Sequence, residues 1–332
     1  MFHRPSRLAG IRPSVMAMSL VAVIAILPGC GSATPARSSS GPSATVAATG
    51  GPIDVVASTN VYGSIIKAIG GDHVTVTSII HSPNADPHEY ESTPADAAAV
   101  SRAELVVING GGYDDFASKL LDNTPTKPTV LNVVDLSGLM PAAAAEASSA
   151  IGDAPEFNEH VWYSLPTVKK LADQLAADLG DVDPADAATF TRNAAAYNDQ
   201  VDGLINKVAA IKAAHAGDKV AITEPVPLYL VQDAGLVNAT PEKFSEAVEE
   251  GTDPPAAVLD ETLALFTGRQ VKVLIPNAQT ESPSTHQVEQ AASAAGIAQV
   301  PVTETLPAGT DDYIQWQDSQ ITALADALNK AA

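Results

Sequence analysis

The chain has a single cysteine among 332 residues, which excludes a disulfide framework and a thiolate-held structural zinc site. Positive charge is also scarce: 18 Lys and Arg stand against 39 Asp and Glu, a formal net charge of −21. So acidic a chain is a poor partner for nucleic acid or an anionic membrane surface, and it is compatible with collecting cations. Beyond residue 27 no apolar run approaches membrane-spanning length. The one glycine run, Gly110 to Gly112, lacks the spacing and helix context of a nucleotide-binding loop.

What is present begins with a leader. No acidic residue precedes Asp54, and Arg4, Arg7 and Arg12 stand before an apolar run from Val15 to Leu27. Residues 1–29 therefore have the layout of a secretory signal, too short for a comfortable span. The signal ends in Leu27-Pro28-Gly29-Cys30, which resembles a bacterial lipobox with an unusual proline. Cys30 reads as a lipid attachment point; the alternative is an ordinary cleaved signal with an incidental cysteine. Residues 30–51 are dominated by Ser, Thr, Ala, Gly and Pro. That composition cannot bury a core and predicts a flexible tether. Removing the three leader arginines takes the formal charge from −21 to −24.

From Ile53 the pattern alternates strand and helix. Strands are expected at 53–58, 74–80, 105–109 and 129–134, with helices between them. One helix is opened by Thr93 and Pro94 as N-cap and first residue. Residues 138–158 break the alternation and read as an exposed loop. A helix from Ser164 to Gly180 follows. Asp183 and Pro184 then open a stripe of Phe190, Ala194, Tyr197, Val201, Leu204, Val208 and Ile211 at three- and four-residue steps. Running to His215, such a helix is roughly 45 Å long, more than one lobe needs. After Gly217 the alternation resumes, with strands expected at 219–223, 271–275 and 297–302 and a last helix at 311–328. The reading is α/β: an N-terminal β/α lobe over 52–183, one long rigid linking helix over 184–215, and a C-terminal β/α lobe over 216–332. A rigid strut implies little lobe closure.

In open α/β sheets ligands gather at the carboxyl ends of strands. Four candidates stand there or in loops leading into helices: His88 within Asp86-Pro87-His88-Glu89-Tyr90-Glu91, His160, Glu224 and Glu281. Two come from each side of the long helix. Two imidazoles and two carboxylates suit a divalent first-row ion in the cleft between lobes. Four protein ligands leave little room for a reacting water, so carriage is favoured over catalysis. Pro83-Asn84-Ala85 and Pro276-Asn277-Ala278 each follow a strand, with His88 and Glu281 three residues beyond the alanine. Glu89 and Glu91 read as lying behind the ligand or in solvent, and His73, His215 and His286 as structural or solvated.

These pieces carry a resemblance. Ile69-Gly70-Gly71-Asp72, the Pro87-His88-Glu89-Tyr90-Glu91 context, Ala103 to Gly110, His160-Val161-Trp162-Tyr163, and Asn193 with Tyr197 are similar to the zinc/manganese (cluster A-I type) solute-binding lipoproteins of metal ABC transporters. The similarity runs from about residue 53 onward. It implies two lobes joined by one long helix, with His88, His160, Glu224 and an acidic residue, here Glu281, as ligands. Asn277 or water is the alternative for the last. Glu224 at the third position resembles manganese-type members. Zinc-specific members commonly carry a His-rich loop, whereas 138–158 has no histidine, and Glu159 stands where proline is common. The resemblance implies a monomeric, non-enzymatic, extracytoplasmic receptor, anchored to the cell membrane by its N-terminal lipid. It would carry one Mn²⁺ or Zn²⁺ to an ABC permease. The competing readings are a metal-independent adhesin on the same scaffold and a metallohydrolase with Glu89 or Glu91 as base.

Overall fold

The computed structural model describes residues 51–82, 85, 87–140 and 157–331. The leader, Cys30 and the tether to residue 50 lie outside the described residues, as do Pro83, Asn84, Asp86 and most of the 138–158 loop.

The first sheet is parallel throughout, in the order β2-β1-β3-β4: β1 (Ile53–Thr59), β2 (Val74–Ile80), β3 (Leu105–Ile108) and β4 (Thr129–Asn132). Its central strands are almost wholly buried, as expected where helices cover both faces. Helix α1 (Asn60–Gly70) returns β1 to β2 and buries Tyr62, Ile65, Ile66 and Ile69. Helix α2 (Pro94–Arg102) leads from β2 to β3. Thr93 caps it in a closed capping box: its side chain accepts from the Asp96 amide, and Asp96 accepts from the Thr93 amide at 2.7 Å. Helix α3 (Asp115–Asn123) leads to β4. The strand expected to reach Val134 stops at Asn132, because that side chain caps a short α4 (Val133–Ser137), accepting from Asp135 N at 3.1 Å.

A second parallel sheet repeats the order as β6-β5-β7-β8: β5 (Lys219–Ile222), β6 (Val237–Asn238), β7 (Val273–Ile275) and β8 (Ala298–Gln299). The two-residue β6 carries no periodic signal and was not anticipated. The strand expected over 297–302 is regular only at β8, although Val302 still bridges to Asn277. Four helices accompany this sheet: α7 (Leu228–Asp233), α8 (Glu242–Glu249), α9 (Ala256–Thr267) and α10 (Pro283–Ala295).

Between the sheets run α5 (Leu165–Val182) and the 29-residue α6 (Ala187–His215), about 44 Å long at 1.5 Å per residue. The stripe from Phe190 to Ile211 is buried. Regular helix begins three residues after the expected start. Asp183 instead closes a turn, its carboxylate accepting from Ala185 N at 3.1 Å and its carbonyl from Asp186 N at 3.2 Å. The strut is not isolated, since α5 and the last helix, α11 (Tyr313–Lys330), pack along it.

One apolar cluster runs through both sheets and includes Trp162, Tyr163, Tyr313 and Trp316. Polar bonds reinforce that continuity. Asn60 exchanges two hydrogen bonds with the Leu306 backbone, and Tyr163 donates to Thr303 O at 2.6 Å. Tyr313 donates to Trp162 O at 2.6 Å. Among the described residues no helix is long and apolar enough to cross a membrane.

Candidate metal centre

In each sheet the chain runs outward from a central pair, β1/β3 and β5/β7, and the loops leaving their carboxyl ends form a crevice. His88 follows β2, with Pro87 buried beside it. Its ring meets Tyr113 edge-on, with centroids 5.3 Å apart. His160 opens a 3-10 turn, Val161–Tyr163, and packs against Trp162 at 5.1 Å and Tyr113 at 5.8 Å. Trp162 is buried and packs against the His160 ring.

The His160 loop is held from below. Asn109, at the end of β3, donates to Glu159 O at 3.0 Å. The turn after Asn109 is fixed by Asp114, whose two oxygens accept from Asn109 N at 2.6 Å and Gly110 N at 2.8 Å. The glycine run then explains itself. Gly111 has φ +70°, and a Cβ there would stand 3.1 Å from Val134 and 3.3 Å from Glu159. The run lets the His160 loop approach the β3 turn.

Asn158 sets the chemistry of His160. Its amide nitrogen donates to Pro225 O at 3.2 Å, which leaves its oxygen facing His160 Nδ1 at 2.7 Å. The proton is thereby kept on Nδ1, and Nε2 is presented as a lone pair. Burial, followed by the charge of His88, lowers the His160 pKa to about 3. Its imidazole is neutral at any physiological pH, the form a metal ligand needs.

Both imidazoles aim at one point. Glu249 Oε1 lies 3.4 Å from His160 Nε2 and 3.8 Å from His88 Nε2, and Glu159 Oε1 lies 3.6 Å from His88 Nε2. His88, Glu159 and Glu249 thus bring three ligand atoms within 4.8 Å of one another. From the second sheet, Glu224 stands after β5 and is buried. The Asn277 side-chain amide donates to Glu224 and, at 2.7 Å, to Glu304 Oε1, so one NH₂ group holds two buried carboxylates together. Gln279 fixes the Glu304 loop by accepting from Glu304 N at 2.6 Å and Thr305 N at 3.0 Å.

Mutual repulsion is the electrostatic signature of this cluster. Burial first, and then the charges of Glu159, Glu224 and Glu304, together raise the Glu249 pKa to about 11. Tyr113 is held neutral by burial and by the charge of Glu304. Several acids crowded against two imidazoles make a site that a divalent cation would neutralise.

The structure brings His88 and His160 together and sets Glu224 in the same crevice. Glu281 is not brought there. Its side chain is 79% exposed, and its carboxylate faces His286 at 3.9 Å. The reason is local: Ser282 caps α10 with Pro283 in its first turn, so the chain has already turned into helix, and Asn277 is the residue of this loop that reaches inward. Sequence reasoning missed Glu249 and Glu304. Glu304 follows the last strand as Glu224 follows β5, and that parallel was available. For Glu249 the available sign was an acid at the last position of a helix, against the helix dipole.

A two-lobed solute-binding protein with a linking helix is the class that this fold defines, and the donors in its crevice suit a divalent transition ion. The profile of the family described as zinc-uptake complex component A, periplasmic (ZnuA), matches residues 55–327, and the chain belongs to that family. The manganese-binding lipoprotein MntA of Bacillus subtilis is 26% identical over 294 residues, 86% of this chain and 87% of that protein. MntA of Halalkalibacterium halodurans is 30% identical over 145 residues, 44% of this chain and 45% of that one, so the match spans about half its length. Among solved structures, the periplasmic zinc binding protein TroA of Treponema pallidum is similar with a TM-score of 0.67 at 19% identity, covering 84% of this chain and 99% of that one. That last likeness concerns the fold.

Proposed function

We propose that this chain is an extracytoplasmic receptor that captures one Mn²⁺ or Zn²⁺ ion in the crevice between its lobes and delivers it to an ABC permease. The observation that carries the reading is the convergence of His88 Nε2 and His160 Nε2 on a single carboxylate oxygen, at 3.8 and 3.4 Å. A neutral, Nδ1-protonated His160 beside clustered acids supports metal binding. So do the relatives whose names describe manganese-binding lipoproteins.

The ligand set we propose is His88, His160 and Glu224 with Glu304 as the fourth. Glu304 replaces Glu281 because it is buried beside Glu224 on the same Asn277 amide. Residues 52–183 would form one lobe, 184–215 the linking helix and 216–332 the other lobe. Cys30 would carry a lipid that anchors a monomeric body to the cell membrane through the 30–51 tether. The task is binding and release rather than turnover.

Elemental analysis of the purified body tests the site. One metal per chain is expected, with loss in His160→Ala and in His88→Ala. Tight binding retained in both variants would overturn the assignment.

A further inference from the structure

The geometry points to Glu249, at the end of α8, as an additional metal ligand that biases the site toward an oxygen-preferring ion of the Mn²⁺ class over Zn²⁺. The inference rests on the metal-receptor reading and goes beyond its ligand set.

Glu249 Oε1 stands closer to His160 Nε2 than a solvent layer allows, at 3.4 Å, and lies 3.8 Å from His88 Nε2. An ion bound to both imidazoles would sit within reach of that oxygen. The side chain is only 15% exposed, and both of its oxygens are buried. Ionising a carboxyl this buried is costly, so it stands as an anion only where a cation sits beside it.

Its place on the helix sharpens the point. Glu249 is the last residue of α8, followed by Glu250, and no basic residue lies in the final turn. The helix dipole there is negative, so an acid is unfavourable unless a cation offsets it. The helix is nevertheless locked in place. Phe244 and Val248 are buried, Thr252 N donates to Ala247 O at 2.8 Å, and Gly251 turns the chain away at φ +66°. The carboxylate is thus positioned by the fold rather than swinging on a loose loop.

The arrangement has a consequence for selectivity. Zn²⁺ is satisfied by four ligands in a tetrahedron with nitrogen among them, whereas Mn²⁺ favours more oxygen donors. Two imidazoles with Glu224 and Glu304 would complete a zinc site. A fifth ligand oxygen, from Glu249, contributes chiefly to manganese. The crevice has room for it, as a cavity of about 380 Å³ is lined by His88, Gly111, Phe157, Glu159, Leu228 and Glu249.

The test compares Mn²⁺ and Zn²⁺ affinities by competition titration in wild type, Glu249→Gln, Glu250→Gln and His160→Ala. It adds the electron paramagnetic resonance spectrum of bound Mn²⁺. Glu250 is an exposed neighbour on the same cavity wall, so its amide variant controls for a general loss of negative charge. The expected result is a fall of about tenfold or more in Mn²⁺ affinity for Glu249→Gln, with a smaller fall for Zn²⁺ and an altered Mn²⁺ spectrum. Glu250→Gln is expected to match wild type. Unchanged Mn²⁺ affinity and spectrum in Glu249→Gln, with metal lost in His160→Ala, would overturn the role of Glu249 and leave the site standing. Equal losses of both metals would overturn the selectivity. Tight binding in His160→Ala would overturn the receptor site itself.

Discussion

At the scale of single residues, the crevice holds two titrating groups displaced in opposite senses. Burial keeps the His160 imidazole neutral down to about pH 3, while an unfolded chain protonates near 6.5. Its contribution to stability is intact above pH 6.5 and is lost as pH falls from there toward 3. Glu249 runs the other way. Its folded pKa is raised to about 11 against about 4.3 unfolded, so its contribution is full below pH 4.3 and is lost as pH rises through 11. Glutamine at 249 has no charge to lose. Melting curves of the metal-free protein should therefore show Glu249→Gln more stable than wild type by a few kcal/mol at pH 8, the gap closing near pH 4. A gap that does not change with pH would contradict the crowding of acids described here. The histidines were legible in the sequence because each sits in a short, recognisable context. Glu304 and Glu249 were not, because they owe their place to contacts far along the chain: Asn277 and Gln279 for one, the packing of α8 for the other. Glu281 misled for a related reason. Its distance from a strand end was right, but the capping of α10 by Ser282 turned it outward.

At the scale of elements, the strut was the most legible part of the chain. Its apolar residues repeat at helical steps, and the same residues are the buried ones. Its first turn was less legible, since Asp183, the expected cap, instead closes a turn ahead of the helix. Short strands were the least legible. β6 and β8 have two residues each, too few for any period to register, and they exist because neighbouring strands offer a ladder. Gly203 tests the regularity of the strut. It lies on the exposed side, and a Cβ there meets nothing within 4 Å. Gly203→Ala should raise unfolding stability by about 1 kcal/mol, read as a higher urea midpoint, and leave metal affinity unchanged. A lower midpoint would mean that the helix is interrupted there.

At the scale of the whole molecule, two sheets with the same strand order face each other across a crevice, and one apolar core runs through both. Bonds such as Tyr313 to Trp162, Asn60 to Leu306 and Tyr229 to Asn158 O at 2.7 Å cross from one half to the other close to the site. On the proposed reading, an ion would enter a crevice already braced by these bonds, and selectivity would fall to the donors rather than to a large closure. A second group able to hold a cation, His73 with Asp183 and Asp186, lies where β2 begins and α6 starts, away from the strand ends that bear His88 and Glu224. It offers a direct alternative to the central claim. Anomalous X-ray scattering at the manganese edge, from crystals loaded with Mn²⁺, decides between the two. We expect one strong peak within coordination distance of both His88 Nε2 and His160 Nε2. A dominant peak at His73, Asp183 and Asp186, with none between the two imidazoles, would contradict the account.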